Sequence, residues 1–252
     1  MKTADLGDDV TEQTRFPDTS PTIGCLWATS TTQGRRESNE DRWGANYPRF
    51  VVADGVAHGL GGDFASAQAV AGFLSIRIDS GGWQAALERL DRLVALRATS
   101  HGLPRAATTL VGVEIVGRTM TISHAGDSRA YLTRRDGTVR CLTTDHSLAT
   151  LRVEQGRDAD DLSDGLGKPR ALTNYLGTDV PLHASTTTSL TVETGDRLLL
   201  CTDGVHEQLS SDQIHTYMSL SDRQEVVDAI TEAADAAGGR DNATALLVEI
   251  GS

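Results

Sequence analysis

The chain has 252 residues, 38% of them hydrophobic and 23% charged, with a formal net charge of −12. That apolar content builds one large domain or two small ones. A surface this acidic repels a phosphate backbone, which argues against non-specific binding of DNA or RNA, and no apolar run approaches the ~20 residues that span a bilayer.

Residues 1–21 are polar and acidic and read as a disordered tail. No basic stretch followed by an apolar run opens the sequence, so the reading expects no secretory signal and a cytoplasmic protein. Residues 22–252 then form one domain. A first strand is expected at 22–29 and a short apolar strand at 49–53. Apolar residues spaced at three and four predict helices over 63–78 and 83–98, the second with Leu87, Leu90, Val94 and Leu96 among its apolar residues. Short β-branched runs at 108–116, 119–125, 128–134 and 138–142, separated by Gly or Asp, predict antiparallel hairpins. A helix at 146–155 leads into a polar, Gly-rich stretch at 156–170, long enough to be a functional loop. Strands at 185–192 and 197–201, an Ala-rich helix at 224–237 stopped by two glycines, and a strand at 243–250 complete the pattern. This is an α+β layout: a four-layer α-β-β-α sandwich of two antiparallel sheets flanked by helices. The three cysteines, Cys25, Cys141 and Cys201, are odd in number and widely spaced. They read as buried thiols of a reducing compartment, not as disulfides or a zinc site.

The chemistry concentrates in four acids with a shared setting. Asp54, Asp127, Asp203 and Asp241 each stand at the boundary of an apolar strand, beside glycine or in a turn. Any one of them is an ordinary turn residue. Four on converging strand ends would repel one another unless a cation neutralised them, and hard oxygen ligands suit Mg2+ or Mn2+. A further cluster, Gly34-Arg35-Arg36-Glu37-Ser38-Asn39-Glu40-Asp41, sets two cations beside three acids. An arginine there matches the oxygens of a phosphate.

In series, these segments resemble the metal-dependent protein phosphatases of type 2C (PPM) in their short bacterial form, over roughly residues 22–250. The motifs run in order: GRRESNEDRW, VVADGVAHGLGGDFAS, AATTLVGVEIV, HAGDSRAYLTRRDGTVRCLTTDHSL, KPRALTNYLGTD, GDRLLLCTDGVHEQLS and GGRDNATALLVEI. The resemblance implies a Ser/Thr protein phosphatase that attacks phosphoserine or phosphothreonine with a metal-activated water. It implies two core Mn2+ or Mg2+ ions and a weaker third. Arg36 matches the phosphate-binding arginine, and Arg35 is its neighbour. Asp54 matches the bridging ligand and Gly55 a carbonyl ligand. Asp203 and Asp241 match the remaining ligands of the first ion, Glu40 and Asp41 the acidic pair that holds metal-bound water, and Asp127 a ligand of the third ion. Asn242 matches a loop-orienting asparagine. The position two after Asp54, a general-acid histidine in animal members, is Val56, and His58 comes one residue earlier than in many bacterial members. In the loop, Asp158, Asp160, Asp161 and Asp164 are candidates either for a third-ion ligand or for a solvated acidic surface. Asp145 before His146 and Ser147 reads as a helix cap, not as part of a triad. The implied partners are phosphorylated proteins, either Ser/Thr kinase targets or anti-anti-sigma-type regulators, acted on by a monomer in cytoplasmic signalling. The alternative is a catalytically inactive interaction module that keeps the fold.

Overall fold

Alternation along the strands sets the layering. In Arg197–Cys201 (β11), Leu198 and Leu200 enter one apolar cluster, while Leu199 and Cys201 enter another on the opposite face. In Arg49–Ala53 (β3), Phe50 and Val52 enter that same first cluster, and Val51 and Ala53 enter a third. Side chains in a strand point to opposite faces with period two. The shared cluster therefore lies between two sheets, and each outer cluster lies between a sheet and its helices.

The computed structural model describes residues 24–57, 60–177, 182 and 186–251. The expected tail at 1–21 lies outside the described residues. One sheet has the order Cys25–Thr32 (β1), Ala243–Ile250 (β12), β11, Arg129–Thr133 (β8) and Val139–Cys141 (β9). The other has the order Thr186–Thr191 (β10), Thr119–Ala125 (β7), Leu110–Val116 (β6), β3 and Arg42–Asn46 (β2). Every pairing between these strands is antiparallel. Gly62–Ser75 (α1) and Gly82–Ser100 (α2) cover the second sheet through Ala65, Ala69, Phe73, Leu87, Leu90 and Val94. Ser211–Met218 (α5) and Arg223–Ala236 (α6) cover the first through Ile214, Met218, Val226, Val227 and Ile230. This is the expected four-layer sandwich. Gly55–Ala57 (β4) and Ala106–Thr108 (β5) form a small two-stranded antiparallel sheet. Among the described residues, no helix is long and apolar enough to cross a membrane.

Several local expectations change. β1 runs to Thr32, following its pairing with β12 past the apolar stretch. The predicted strand at 108–116 divides at Thr109, where the chain leaves the two-stranded sheet for the five-stranded one. β2, α5 and the one-turn helix Asp203–His206 (α4) lack the length or apolar periodicity that would announce them. Leu96 is 66% exposed on α2. Cys141 is exposed rather than buried, because β9 is an edge strand, whereas Cys25 and Cys201 are buried as expected.

Leu148–Glu154 (α3) is capped by Ser147, whose hydroxyl accepts from the Thr150 amide, and not by Asp145. α3 also organises the loop after it. Arg152 is 1% exposed and pairs bidentately with Asp164 at 2.8 and 2.9 Å, while its guanidinium also donates to the carbonyls of Ala159 and Gly167. Arg157 pairs with Asp161 and Asp164. These pairs hold the Asp161 and Asp164 carboxyls below the usual range, through hydrogen bonds from Ser163 and Arg152 respectively. Two of the four loop acids are thus committed to arginines of their own segment. Asp161 and Asp164 are therefore neither plain solvated acids nor open donors. Replacing Arg152 with Met should loosen it: the amides of Asp160, Ser163 and Leu166, which donate to aspartates of the loop, should exchange with deuterium markedly faster while the strands keep their protection. An unchanged exchange pattern would mean that the loop holds its shape without the arginine.

Candidate metal centre

Asp54 leaves the end of β3, and two threonines fix its backbone. Its amide donates to Thr109 Oγ1 at 3.0 Å, and its carbonyl accepts from the Thr109 amide and from Thr108 Oγ1, each at 2.8 Å. Asp203 is the first residue of α4, and its carbonyl accepts from the Glu207 amide at 2.8 Å. Asp41, 5% exposed, precedes β2, and its Oδ2 accepts from Thr202 Oγ1 at 2.8 Å and Thr244 Oγ1 at 2.7 Å. Asp241 precedes β12 and receives the Asn242 amide at 2.9 Å. The Asn242 side-chain amide donates to the carbonyls of Gln33 and Ser38 and its oxygen accepts from the Glu40 amide, tying the 33–40 loop to β12. Arg36 reaches across to Asp241 as an ion pair, with 57% of its side chain exposed. Arg35 makes a backbone contact with Gly239 instead.

Glycines allow these segments to meet. A Cβ on Gly55 would overlap the backbone of Gly62 at the start of α1, and one on Gly204 would overlap the Asn242 carbonyl. The second contact brings Asp203 and Asp241 together from separate elements.

The electrostatics of the cluster are unfavourable as they stand. Burial raises Asp54 well above the usual carboxylate range, and the charges of Asp41, Asp203, Asp127 and Asp241 raise it further. Burial likewise raises Asp203, followed by Asp127 and Asp241. Asp41 is pushed up to about 6 by burial, with the Thr244 and Thr202 hydrogen bonds pulling it back. Asp127, pushed up to about 6 by burial and then by Asp145 and Glu207, stands on the Asp203 side. Glu40 is more peripheral: burial raises it, then Asp63, and its carboxylate lies over Gly62.

Two observations test whether a cation fits. Asp41 Oδ1 and Asp203 Oδ1 are buried and have no hydrogen-bond partner, a costly state for a charged oxygen unless something positive faces it. The donor set is all oxygen, the chemistry of Mg2+ and Mn2+. Among the described residues, no three acidic, histidine or cysteine side chains already converge on one point. The residues fit a divalent ion by position and chemistry. Beside them a cavity of about 230 Å3 opens between Asp127, Arg129, Asp145, Arg170, His206 and Glu207.

Known proteins share this fold and part of this sequence. The family model described as Stage II sporulation protein E (SpoIIE) matches residues 45–251. The serine/threonine phosphatase stp of Listeria welshimeri is 33% identical over 248 residues, covering 87% of this chain and 93% of that protein. The chain belongs to the SpoIIE/PPM phosphatase family. The crystal structure of the Mycobacterium tuberculosis serine/threonine phosphatase PstP/Ppp superposes with a TM-score of 0.78 at 26% identity, covering 92% of this chain and all of that one. A structure of the PstP catalytic domain in complex with two manganese ions superposes with a TM-score of 0.75 at 27% identity, with 92% of this chain and 100% of that one covered.

Set against the family pattern, the described residues bring Asp41, Asp54, Asp127, Asp203 and Asp241 within electrostatic reach of one another, with Arg36 paired to Asp241 and Glu40 beside Asp63. His58 lies outside the described residues. Asp145 is a bidentate partner of Arg129, at 2.7 and 2.8 Å, and not a helix cap. His146 stacks on His124 with ring centroids 4.5 Å apart, and burial holds it down to about 4. The residues that sequence reasoning missed are Thr108, Thr109, Thr202 and Thr244. Thr202 directly precedes Asp203 and Thr244 follows Asp241 by three residues, which was a signal, whereas Thr108 and Thr109 have no aspartate near them in sequence.

Asp54 gives a signed pH effect. Its folded pKa lies above its unfolded value, so the folded state binds more protons between the two, and stability falls as pH rises through that window. His146 and His206, both held down to about 4 with burial as the first cause, oppose this trend but titrate identically in a variant. In EDTA, Asp54→Asn and wild type should melt close together near pH 4.5. The variant should become the more stable as pH rises, by about 2–4 °C for each kcal/mol of relieved repulsion. Differential scanning calorimetry across the range checks this; a pH-independent gap would mean that Asp54 is not strained by its neighbours.

Proposed function

We propose that the chain hydrolyses phosphoserine and phosphothreonine in proteins, with Mn2+ or Mg2+ as its cofactor. The observation that carries this reading is the pair of unpartnered carboxylate oxygens, on Asp41 and Asp203, buried beside Asp54 and within reach of a phosphate-matching arginine. Asp54, the Gly55 carbonyl, Asp203 and Asp241 would hold the two core ions. Glu40 and Asp41 would hold water at their edge, and Asp127 would hold a third ion. Bound there, divalent ions supply Lewis acidity, which makes water a competent nucleophile at neutral pH and offsets phosphoryl charge.

The chain's own residues supply the rest. Arg36 is mostly exposed, so its guanidinium can turn from Asp241 to two oxygens of the phosphoryl group and fix it for in-line attack. The same charge stabilises the group as negative charge redistributes over it. Buried Asp41, held by two hydroxyls, keeps a fixed acceptor at the edge of the site. The cavity beside Asp127 and the arginine-locked loop would receive the peptide around the phosphorylated residue. The retained carboxylates support an enzyme over an inactive interaction module. The setting we infer is cytoplasmic signalling by a monomer, acting on the targets of Ser/Thr kinases, with anti-anti-sigma-type regulators as the other class of phosphoprotein substrate.

Hydrolysis of p-nitrophenyl phosphate and of a phosphothreonine peptide tests this. Activity should require Mn2+ or Mg2+, vanish in EDTA and be lost in Asp203→Ala. Arg36→Ala should lower kcat/KM on the order of 10²-fold or more. Turnover that survives EDTA, or folded wild-type protein inert with both ions, would sink the reading.

A further inference from the structure

Asp41 is held in an asymmetric way. Both threonines around it donate to the same oxygen, Oδ2, while Oδ1 is buried and has no hydrogen-bond partner. Thr202 and Thr244 are themselves fully buried, at 0% exposure. They come from the end of β11 and from β12, strands paired in the first sheet, and the Thr202 amide donates to the Thr244 carbonyl at 3.1 Å.

The hydrogens can be counted. A threonine hydroxyl has one hydrogen, and an ionised carboxylate only accepts. Thr202 Oγ1 accepts from the Thr244 amide at 2.9 Å, so its own hydrogen is free to go to Asp41. Thr244 Oγ1 gives its hydrogen to Asp41 and must therefore accept from Thr31 Oγ1, 2.7 Å away across the β1–β12 register. Thr31 in turn accepts from the Asn39 side-chain amide at 2.9 Å. Asn39 then uses its oxygen to accept from the Asp41 amide at 3.0 Å. The donors run one way, from Asn39 through Thr31 and Thr244 to Asp41, and Thr202 adds a second donor at the same oxygen.

A purely structural carboxylate would have both oxygens satisfied, because a bare buried one is costly. Two donors on one oxygen and none on the other leave the second oxygen free for the metal centre, and outer-shell hydrogen bonds of this kind orient the groups of such a centre. We propose that Thr202 and Thr244 are positioning residues of the metal centre, pinning Asp41 through Oδ2 so that Oδ1 is presented to the water held at the edge of the ions, with Thr31 polarising Thr244. This inference rests on the metal-centre reading above, and it adds the residues that set metal affinity.

The test is Mn2+ binding to the full chain, followed by the EPR signal of free Mn2+, with melting temperature in EDTA as a parallel readout. Thr202→Val and Thr244→Val keep the shape and remove the hydroxyl; they should weaken Mn2+ binding about 10–100-fold, with Thr202→Ser and Thr244→Ser staying within about threefold of wild type. Thr31→Val sits at an exposed position, so its folding is not at stake, and it should shift the dissociation constant in the same direction by a smaller factor. Valine variants that bind Mn2+ like wild type, or serine and valine variants equally weakened, would overturn the proposal and leave the metal centre standing. Wild-type protein that takes up no Mn2+ would overturn both.

Discussion

Repulsion among buried carboxylates is the constraint around which this end of the molecule is arranged. Asp41 is buried and Asp54 and Asp203 are partly buried, and the charges of Asp41 and Asp203 add to burial in raising the proton affinity of Asp54, so the unliganded cluster opposes folding. The chain tolerates it because the strain is confined to the end of the sandwich. Between the sheets, Phe50, Val52, Leu198, Leu200, Leu246 and Val248 form a continuous apolar cluster with no charge in it. Apolar burial of that kind contributes about 25 cal/mol per Å2, and it fixes the directions in which the strand ends, and hence the acids, must point.

Position at the site is set by small groups rather than by large side chains. Threonine hydroxyls hold the Asp54 backbone and the Asp41 carboxylate, glycines let α1 and α4 approach neighbouring chain, and Asn242 joins the 33–40 loop to β12. The arginines divide into two groups. Arg36 is exposed and pairs with an acid of the centre, so it can exchange partners. Arg152 and Arg157 are consumed by the acids of their own loop, so that segment keeps its shape without drawing on the centre.

The strands that carry the site were legible because their burial repeats with the period of the pleat. β3, β7, β11 and β12 fall at the boundaries that alternation and apolar runs predict. Asp54 and Asp203 stood out because a strand-end Asp-Gly appears twice and the other motifs follow in order. What was not legible depended on partners distant in sequence. Nothing local to Asp145 announces a bidentate bond to Arg129, and nothing in the loop says which of its four aspartates Arg152 will take. The exposure of Cys141 follows from sheet order, not from its flanking residues. Thr202 and Thr244 escaped notice because a threonine in a strand needs no explanation until its hydroxyl is seen to face a carboxylate.

The placement of the acids across the fold links ion binding to the integrity of the sandwich. Asp54 follows β3 in one sheet, whereas Asp203 and Asp241 adjoin β11 and β12 in the other, and Asp41 enters β2 beside β3 while bonded to threonines of the β11–β12 side. A cation shared by these groups would therefore hold the two sheets together at the one edge where the uncompensated protein pushes them apart. The pairing and the apolar cluster set the sheets' geometry without it, so ion binding would add to a formed fold and not create one. Whatever binds the folded state alone stabilises it in proportion to its concentration and affinity. In this architecture the groups that make the site reactive are the same groups that make it costly, and one ligand relieves the cost while supplying the chemistry.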